Sequence, residues 1–589
     1  MKTNIKINNT IRISSLMMIL LVILGCSEDK FLDEVNPNAI TEGTFWGSEK
    51  QFNSALTTVY GALQFQAVSG GDMAYEFNRG DIGGTEPWYR PLVFKNFTYN
   101  DGTYYVVDKW NEMYMGIFRA NQVIQKLEEA GDNIVFNTSS KEEVLAQARF
   151  LRAYFYFEII NNYGQAIIHT TVPEPDELSK PLSTIEEVTN SVIIPDLTYA
   201  KSNLPTKWEG EDLGRVTWGA ATALLGKVHL YGEKWEDASD LFLEVINSDI
   251  YKLTPNVLDN FTDVNEYNRE SIFEVPYSAE LSPGVNGNNV DDTPFSTGAE
   301  ASTLGREVGQ LSFGAFNTVL ASYYLHEMFI YEEIDTDNPV NDGNTQSKRY
   351  IATLAPSDGE GLYYNLPFGD KPGWGFGQTA YVKKHANWYH LDAEDANSRS
   401  GINFRHIRLA DVYLMYAEAV INATGDYTTA IEYIDKIRTR AGVITLQRYM
   451  DENGGMIPEL YKSIQVHGPR TWVTADATSV MTHIRRVERP LELCFEGHRW
   501  KDLIRWGIVS EVFSELAADE AWRLEKLEED LDALEIDPNA ETVIVGQPPL
   551  FIVERIRPDF TAGNEAYNPS QHDYFPIPAA ELQTNNELN

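Results

Sequence analysis

Apolar residues recur at helical spacing through much of this chain. Val144, Ala148, Leu151, Phe155 and Ile159 fall three or four apart, which predicts a helix with one apolar stripe, ended near Asn162 to Gly164. A second helix is predicted after Gly214, with Trp218, Ala221, Leu225 and Val228 on one face. The chain then turns at Tyr231 to Trp235, and the next helix carries Ala238, Phe242 and Val245 inward. The same arrangement returns much later, with Ala410, Leu414, Ala417 and Ile421, a turn at Gly425 to Tyr427, and then Ala430, Ile434, Ile437 and Ala441. In both pairs an aromatic follows the turn and an alanine comes three residues later: Trp235/Ala238 and Tyr427/Ala430. A small alanine admits a neighbouring helix while the ring fills the gap beside the turn, as in tetratricopeptide-like repeats. The two pairs lie too far apart in sequence for a tandem solenoid, so long insertions are expected between them. Leu524, Leu527, Leu531 and Leu534, within the acidic stretch 515–537, predict one further amphipathic surface helix.

Between about Tyr251 and Arg405 the stripes shorten, and Gly, Pro, Asn and Asp cluster, as in SPGVNGNNVDDTP. Long irregular stretches of this kind are often functional. The fold class expected is therefore mainly α: helix pairs forming an α-α superhelical scaffold, with a long loop-rich half that holds the ligand.

The amino terminus has a different pattern. Lys2, Lys6 and Arg12 precede an apolar run from Ile13 to Leu24, followed by Gly25, Cys26 and the acidic stretch SEDKFLD. The run is shorter than the ~20 residues that span a bilayer, and its order is that of a secretion signal, here assigned to residues 1–25. Cys26 at the junction is expected to carry the lipid that tethers the mature chain to a membrane surface.

The chain has 589 residues and a formal net charge of −40. A field of that sign repels phosphate backbones, so nucleic acid is excluded as a partner. With Cys26 acylated, the second cysteine, Cys494, has no disulfide partner and reads as a small buried hydrophobe. No nucleophile elbow, phosphate-cradling loop or zinc spacing is present, so no cofactor, metal or catalytic residue is assigned. Asp335 to Asn344 (DTDNPVNDGN) has oxygen-rich side chains but lacks the glycine and terminal glutamate of a calcium loop, and reads as a polar surface turn.

Sugars present flat C–H faces ringed by hydroxyls, so a glycan site needs aromatic planes and nearby polar groups. Two stretches supply both. RGDIGGTEPWYRP offers Asp81, Trp88, Tyr89 and Arg90; YYNLPFGDKPGWGFGQTAYVKK offers Trp374, Phe376 and Tyr381 among four glycines. Trp88 and Trp374 are the expected stacking planes, with Asp81 and Arg90 as hydrogen-bonding groups. The alternative is that these rings only pack their loops onto the helical body.

Several segments, in order, resemble the SusD/RagB family of outer-membrane nutrient-binding lipoproteins: CSEDKFLDEVNPNAITEGTFW, YMGIFRANQVIQKL, ARFLRAYFYFEIINNYG, GINFRHIRLADVYLMYAEAV, IRTRAG, ERPLELCFEGHRWKDLIRWG and DYFPIPAAEL. Pro490 departs from the family pattern and fits the first turn of a helix. Within ERPLELCFEGHRW, Glu492, Glu496 and Arg499 are spaced to face one another along that helix, and His498 reads as structural. The resemblance implies a single unit over residues 26–589, with a helical part to residue 250 and a loop-rich and helical part beyond. It also implies an oligosaccharide ligand, a SusC-like TonB-dependent transporter as partner, and residence at the outer membrane facing the exterior. Family members carry glycan-binding aromatics at points similar to the two stretches above. A peptide ligand, or less readily a glycoside hydrolase activity, are the rival readings.

Overall fold

The computed structural model describes residues 45–86, 89–131, 133–137, 140–175, 177–281, 300–356, 359–367, 380–397, 399–534 and 559–588, with side chains of the helix ending at residue 534 described as far as 526. Eight helices form one row: α1 (Glu49–Gly61), α2 (Tyr104–Ala130), α3 (Lys141–Tyr163), α4 (Ile194–Asn203), α5 (Trp218–Tyr231), α6 (Trp235–Ile246), α7 (Leu409–Thr424) and α8 (Tyr427–Ala441). Each packs against the next. Both expected pairs, α5/α6 and α7/α8, form where the sequence predicts, and the superhelical scaffold is built from them. Their separation in sequence disappears in space, because α6 packs directly on α7 and the intervening chain is looped out.

Local chemistry sets the helix ends. Ser140 and Glu143 form a reciprocal capping box at the start of α3, and Gly164, at φ 72°, closes it in the left-handed conformation. The expected single stripe on α3 understates its burial. Phe150, Arg152, Tyr154, Phe157 and Glu158 are buried as well as the predicted positions, because α1, α2 and α4 pack around it and a strand meets its far side through Phe273, whose ring centroid lies 5.1 Å from that of Phe150. Between α5 and α6 the approach is close enough that a Cβ on Gly226 would lie 2.7 Å from the Phe242 ring. Glycine is what lets that helix pair close.

The looped-out chain has a neck. Strand β2 (Ser271–Val275) pairs antiparallel with β6 (Phe404–Arg408), which runs straight into α7. Beyond the neck lies a four-stranded sheet of very short strands in the order β1-β3-β5-β4, where β1 is Gly83–Gly84, β3 Leu320–Ala321, β4 Leu354–Pro356 and β5 Ala380–Val382. The main apolar core runs through both halves of the chain, from Phe52 to Phe575.

After α8 the chain forms α9 (Arg489–Leu493), α10 (Arg499–Arg505), α11 (Val509–Leu534) and a C-terminal α12 (Ala579–Thr584). Pro490 occupies the first turn of α9 as expected, and Cys494 is buried with its thiol directed at the Leu491 carbonyl. The expectation that Glu492, Glu496 and Arg499 share one helix face is corrected. The helix stops at Leu493, Phe495 (φ 60°) and Gly497 (φ 82°) take left-handed backbone conformations, and the chain restarts at Arg499. Glu492 and Glu496 therefore turn to Arg408, at 2.7 Å each, while Arg499 pairs with Asp81 instead. Acid helix α11 begins at Val509, earlier than predicted; of its four predicted leucines only the Leu524 side chain lies within the described set. The Asp335 to Asn344 turn is held from within and from the chain after α8: Asn341 donates to the carbonyls of Asp335 and Gly442, and Arg448 donates to Asp335 at 2.8 Å. Among the described residues no helix is long and apolar enough to cross a membrane.

Candidate functional site

Both stretches singled out in the sequence adjoin the four-stranded sheet. Residues 85–90 leave β1, and 368–379 lead into β5; both strands pair antiparallel with β3, in the register Gly84 to Leu320 and Leu320 to Tyr381. Two strands antiparallel to a common neighbour run parallel to each other. The first stretch thus leaves at the end of the sheet opposite to that at which the second enters. Gly84, Leu320 and Tyr381 stand level in this register, so the end of β1 and the start of β5 are separated mainly by two strand spacings, about 10 Å.

The base of the first stretch is packed tightly. A Cβ on Gly83 would lie 2.4 Å from the Phe77 carbonyl oxygen, so the position admits only glycine without rearrangement. Lys95, buried beneath, donates to the carbonyls of Gly80 and Gly83 at 2.9 and 2.6 Å. Asp81 is fully buried, and Arg499 grips both of its oxygens at 2.7 and 2.6 Å. Burial alone would raise the Asp81 carboxyl, but the guanidinium more than offsets this and holds it below the ordinary carboxylate range. Asp81 is therefore corrected from an expected ligand group to a structural anchor that ties β1 to α10. Its carbonyl also accepts from the Ser322 hydroxyl at 2.6 Å, at the end of β3.

Beyond Glu86 the described chain resumes at Tyr89, half-buried, and Arg90, exposed. The Arg90 guanidinium lies 6.0 Å from the centre of the Tyr104 ring at the start of α2. Beside it are two carboxyls that sequence reasoning missed, Asp72 and Glu307. Asp72 accepts from the Tyr104 hydroxyl at 3.4 Å. Burial, followed by the nearby charges of Glu307 and Asp108, pushes Asp72 up to about 7, while Arg90 draws it down. Burial also raises Glu307, whose carboxylate accepts from Thr318 at 2.5 Å. With 87 acidic residues in the chain, no local signal distinguishes these two.

The second stretch differs from expectation at its described end. Tyr381 is 2% exposed, in a small cluster with Phe313, Tyr363 and Tyr364. It packs β5 onto neighbouring loops and offers no free face, so it is corrected to a core ring. Trp88, Trp374 and Phe376, like Cys26, lie outside the described residues. Of the predicted site residues, Tyr89 and Arg90 are those the structure describes at or near the surface. His498, read as structural, is buried beside Lys227 at 3.2 Å, and burial pushes its imidazole down to about 3.

Comparison with known proteins places this architecture. Residues 270–589 match the family model described as "SusD family", and residues 30–230 match that described as "Starch-binding associating with outer membrane". A SusD-like protein of Formosa agariphila is 25% identical over 534 residues, covering 86% of this chain and 92% of the relative. Another from Bacteroides ovatus is 26% identical over 457 residues, covering 72% of this chain and 74% of its own length. Among solved structures, a SusD superfamily protein from Bacteroides vulgatus superposes with a TM-score of 0.69 at 25% identity, over 92% of this chain and 98% of that one. A laminarin-binding SusD-like protein has the same fold, with a TM-score of 0.59 at 23% identity, over 91% and 97% of the two chains. The helical row, the looped-out sheet and the match of the model to more than half the sequence lead to one conclusion: this chain belongs to the SusD family.

Proposed function

We propose that this protein is a cell-surface lipoprotein that binds an oligosaccharide and passes it, uncleaved, to a SusC-like TonB-dependent transporter in the outer membrane. The observation that carries this reading is that both aromatic, glycine-rich stretches adjoin strands of one small sheet, and that this sheet is locked to the helical body by buried ion pairs such as Asp81 with Arg499. A rigid base of this kind limits the entropy lost when rings order around a sugar. In this reading Trp88 and Trp374 stack on pyranose faces, and Arg90 donates from its planar fork to ring hydroxyls. Asp72 and Glu307, both raised by burial, are near enough for Arg90 to draw each of them down in part.

The lipid anchor rests on the leader and Cys26, and the outer-membrane setting is supported by the family description "associating with outer membrane". The relative described as laminarin-binding supports a carbohydrate cargo. Ala at both Trp88 and Trp374 is expected to weaken glycan retention in affinity gels at least tenfold, since about 1.4 kcal/mol corresponds to that factor, while leaving the far-ultraviolet circular dichroism unchanged. Equal retention by the double variant and the parent would remove the two stretches from the binding site.

A further inference from the structure

A second feature lies away from those stretches. The exposed face of α2 leads from Tyr104, beside Arg90, to a cleft of about 580 Å³ around Phe118. Fourteen residues at 1.5 Å each place Phe118 about 21 Å along the helix from Tyr104. The cleft is walled by α2, the segment 167–179 and α12, and its volume is in the range of small-ligand sites, roughly 300–1,000 Å³.

Its lining has a consistent chemistry. Tyr114 and Phe118 succeed one another at four-residue spacing on α2 and reach the cleft, while Trp110, one turn earlier and 3% exposed, is a buried ring behind them. The Trp110 and Tyr114 ring centroids are 4.7 Å apart. The Tyr114 hydroxyl is engaged by Ile167, accepting from its N–H at 2.6 Å and donating to its carbonyl, so the ring is held firmly in place. Phe118 is 39% exposed and Leu178, across the cleft, 56%. Such exposure is ordinary for single residues but informative when two apolar side chains face one concavity. The polar part of the lining is almost entirely neutral. Asn111 and Thr584 are exposed at its rim, and His169 lines it with Nδ1 lacking a hydrogen-bond partner. Burial, with Lys180 nearby, lowers the His169 imidazole, which keeps it uncharged at neutral pH. Among the described lining residues the one charged side chain is Glu581, with no lysine or arginine.

Aromatic and apolar planes bordered by neutral amides and hydroxyls suit a polyol with apolar faces. A carboxylate, sulfate or phosphate group would meet Glu581 and a chain of net charge −40, while Lys180, the cation beside His169, is outside the lining and spends its ammonium on the Ile168 carbonyl at 3.4 Å. We propose that this cleft is a second carbohydrate site, specific for short neutral oligosaccharides and separate from the two aromatic stretches. It does not rest on the assignment of Trp88 and Trp374.

Hydrogen exchange of the full chain, read by mass spectrometry, tests the proposal with maltohexaose and laminarihexaose as neutral probes, and with oligogalacturonate and casein-derived hexapeptides as the others. At saturating neutral sugar, amides of the segment 167–180 are expected to exchange several-fold more slowly. The exposed pair Phe118→Ala and Asn111→Ala abolishes that protection, whereas Trp88→Ala with Trp374→Ala leaves it intact. Protection confined to residues 80–90 and 368–382, or none with either neutral sugar, overturns the second site while leaving the first to be judged by its own variants. Equal protection by the acidic sugar, or protection by the peptides in place of the sugars, overturns its assigned specificity and with it the proposal.

Discussion

Arg408→Ala is expected to destabilise the protein by roughly 3–5 kcal/mol, the cost of leaving buried charges without their partner. That is a large share of the ~5–15 kcal/mol that holds most domains folded. Arg408 ends β6 and begins α7, at the neck of the looped-out segment. Its guanidinium donates to Glu496 at 2.7 and 2.9 Å, to Glu270 at 2.8 Å, and to the carboxylate and carbonyl of Glu492 at 2.7 and 2.8 Å. All four side chains are at most 2% exposed. Removing it leaves three carboxylates to share Arg440, which also bonds Glu270 and Glu492, and Lys384, which bonds Glu496 at 2.9 Å. The lost bonds join the neck to α9 and the turn after it, so the neck should loosen first. Urea unfolding of the variant reads the effect directly. Glu515→Ala provides the contrast: Glu515 also accepts from an arginine at 2.7 Å, Arg486, but is 49% exposed. Its removal should cost no more than about 1 kcal/mol.

Acid is expected to unfold the protein steeply below about pH 4, because two kinds of group act with the same sign there. Carboxylates held low by buried cations are the first. For Glu270, burial would raise the carboxyl, but Arg440 and Arg408 bring it down to about 2; Glu488 and Glu496 are held lower still by Arg349 and Arg408. Their stabilisation is complete above the ordinary carboxylate value and is lost as pH falls toward their depressed values. The second kind is buried imidazoles. Desolvation brings His385 down to about 4 and His326 and His498 to about 3. The unfolded chain takes up these protons near pH 6.5 and the folded one does not, so acid favours unfolding from about pH 6.5 downward.

On the alkaline side the sign reverses. Burial raises Asp72 to about 7 and, with Glu274 nearby, Glu266 to about 8. Stability held by these protonated carboxyls declines as pH rises through those values. The two trends oppose each other between about pH 4.5 and 6.5, so the thermal midpoint should be broad there, fall gently above it and steeply below it. Asp72→Asn should flatten the alkaline decline and leave the acid limb unchanged. A midpoint that stays level from pH 6 to pH 3 would contradict this account of the buried network.

Five helices of the row, α3 and the pairs α5/α6 and α7/α8, were legible in the sequence because a 3.6-residue period records an apolar stripe locally; α1, α2 and α4 were not read from it. The pairs α5/α6 and α7/α8 were legible down to the aromatic and alanine that follow each turn. Two features escaped. The four-stranded sheet is made of strands of two or three residues, too short to leave an alternating pattern. The looped-out segment reads as irregular for the same reason. The site was legible only as a kind of chemistry. Asp81 and Tyr381 sit among glycines and aromatics that resemble a ligand loop, yet one is held by Arg499, 418 residues away, and the other fills a core cluster. A glycine-rich aromatic stretch has the same composition whether its rings face solvent or its own scaffold. Only the partner decides, and it is remote in sequence. Glu492 and Glu496 show the same limit, since their spacing suggested a shared helix face and a left-handed residue between them removed it.

The central claim is that this family member holds a sugar without breaking it. Calorimetric titration of the purified chain with a panel of neutral oligosaccharides, followed by assay of the same solutions for new reducing ends, tests it most directly. Saturable heat with at least one sugar and no rise in reducing ends is the expected result; steady release of reducing ends, or no heat with any sugar, would contradict it.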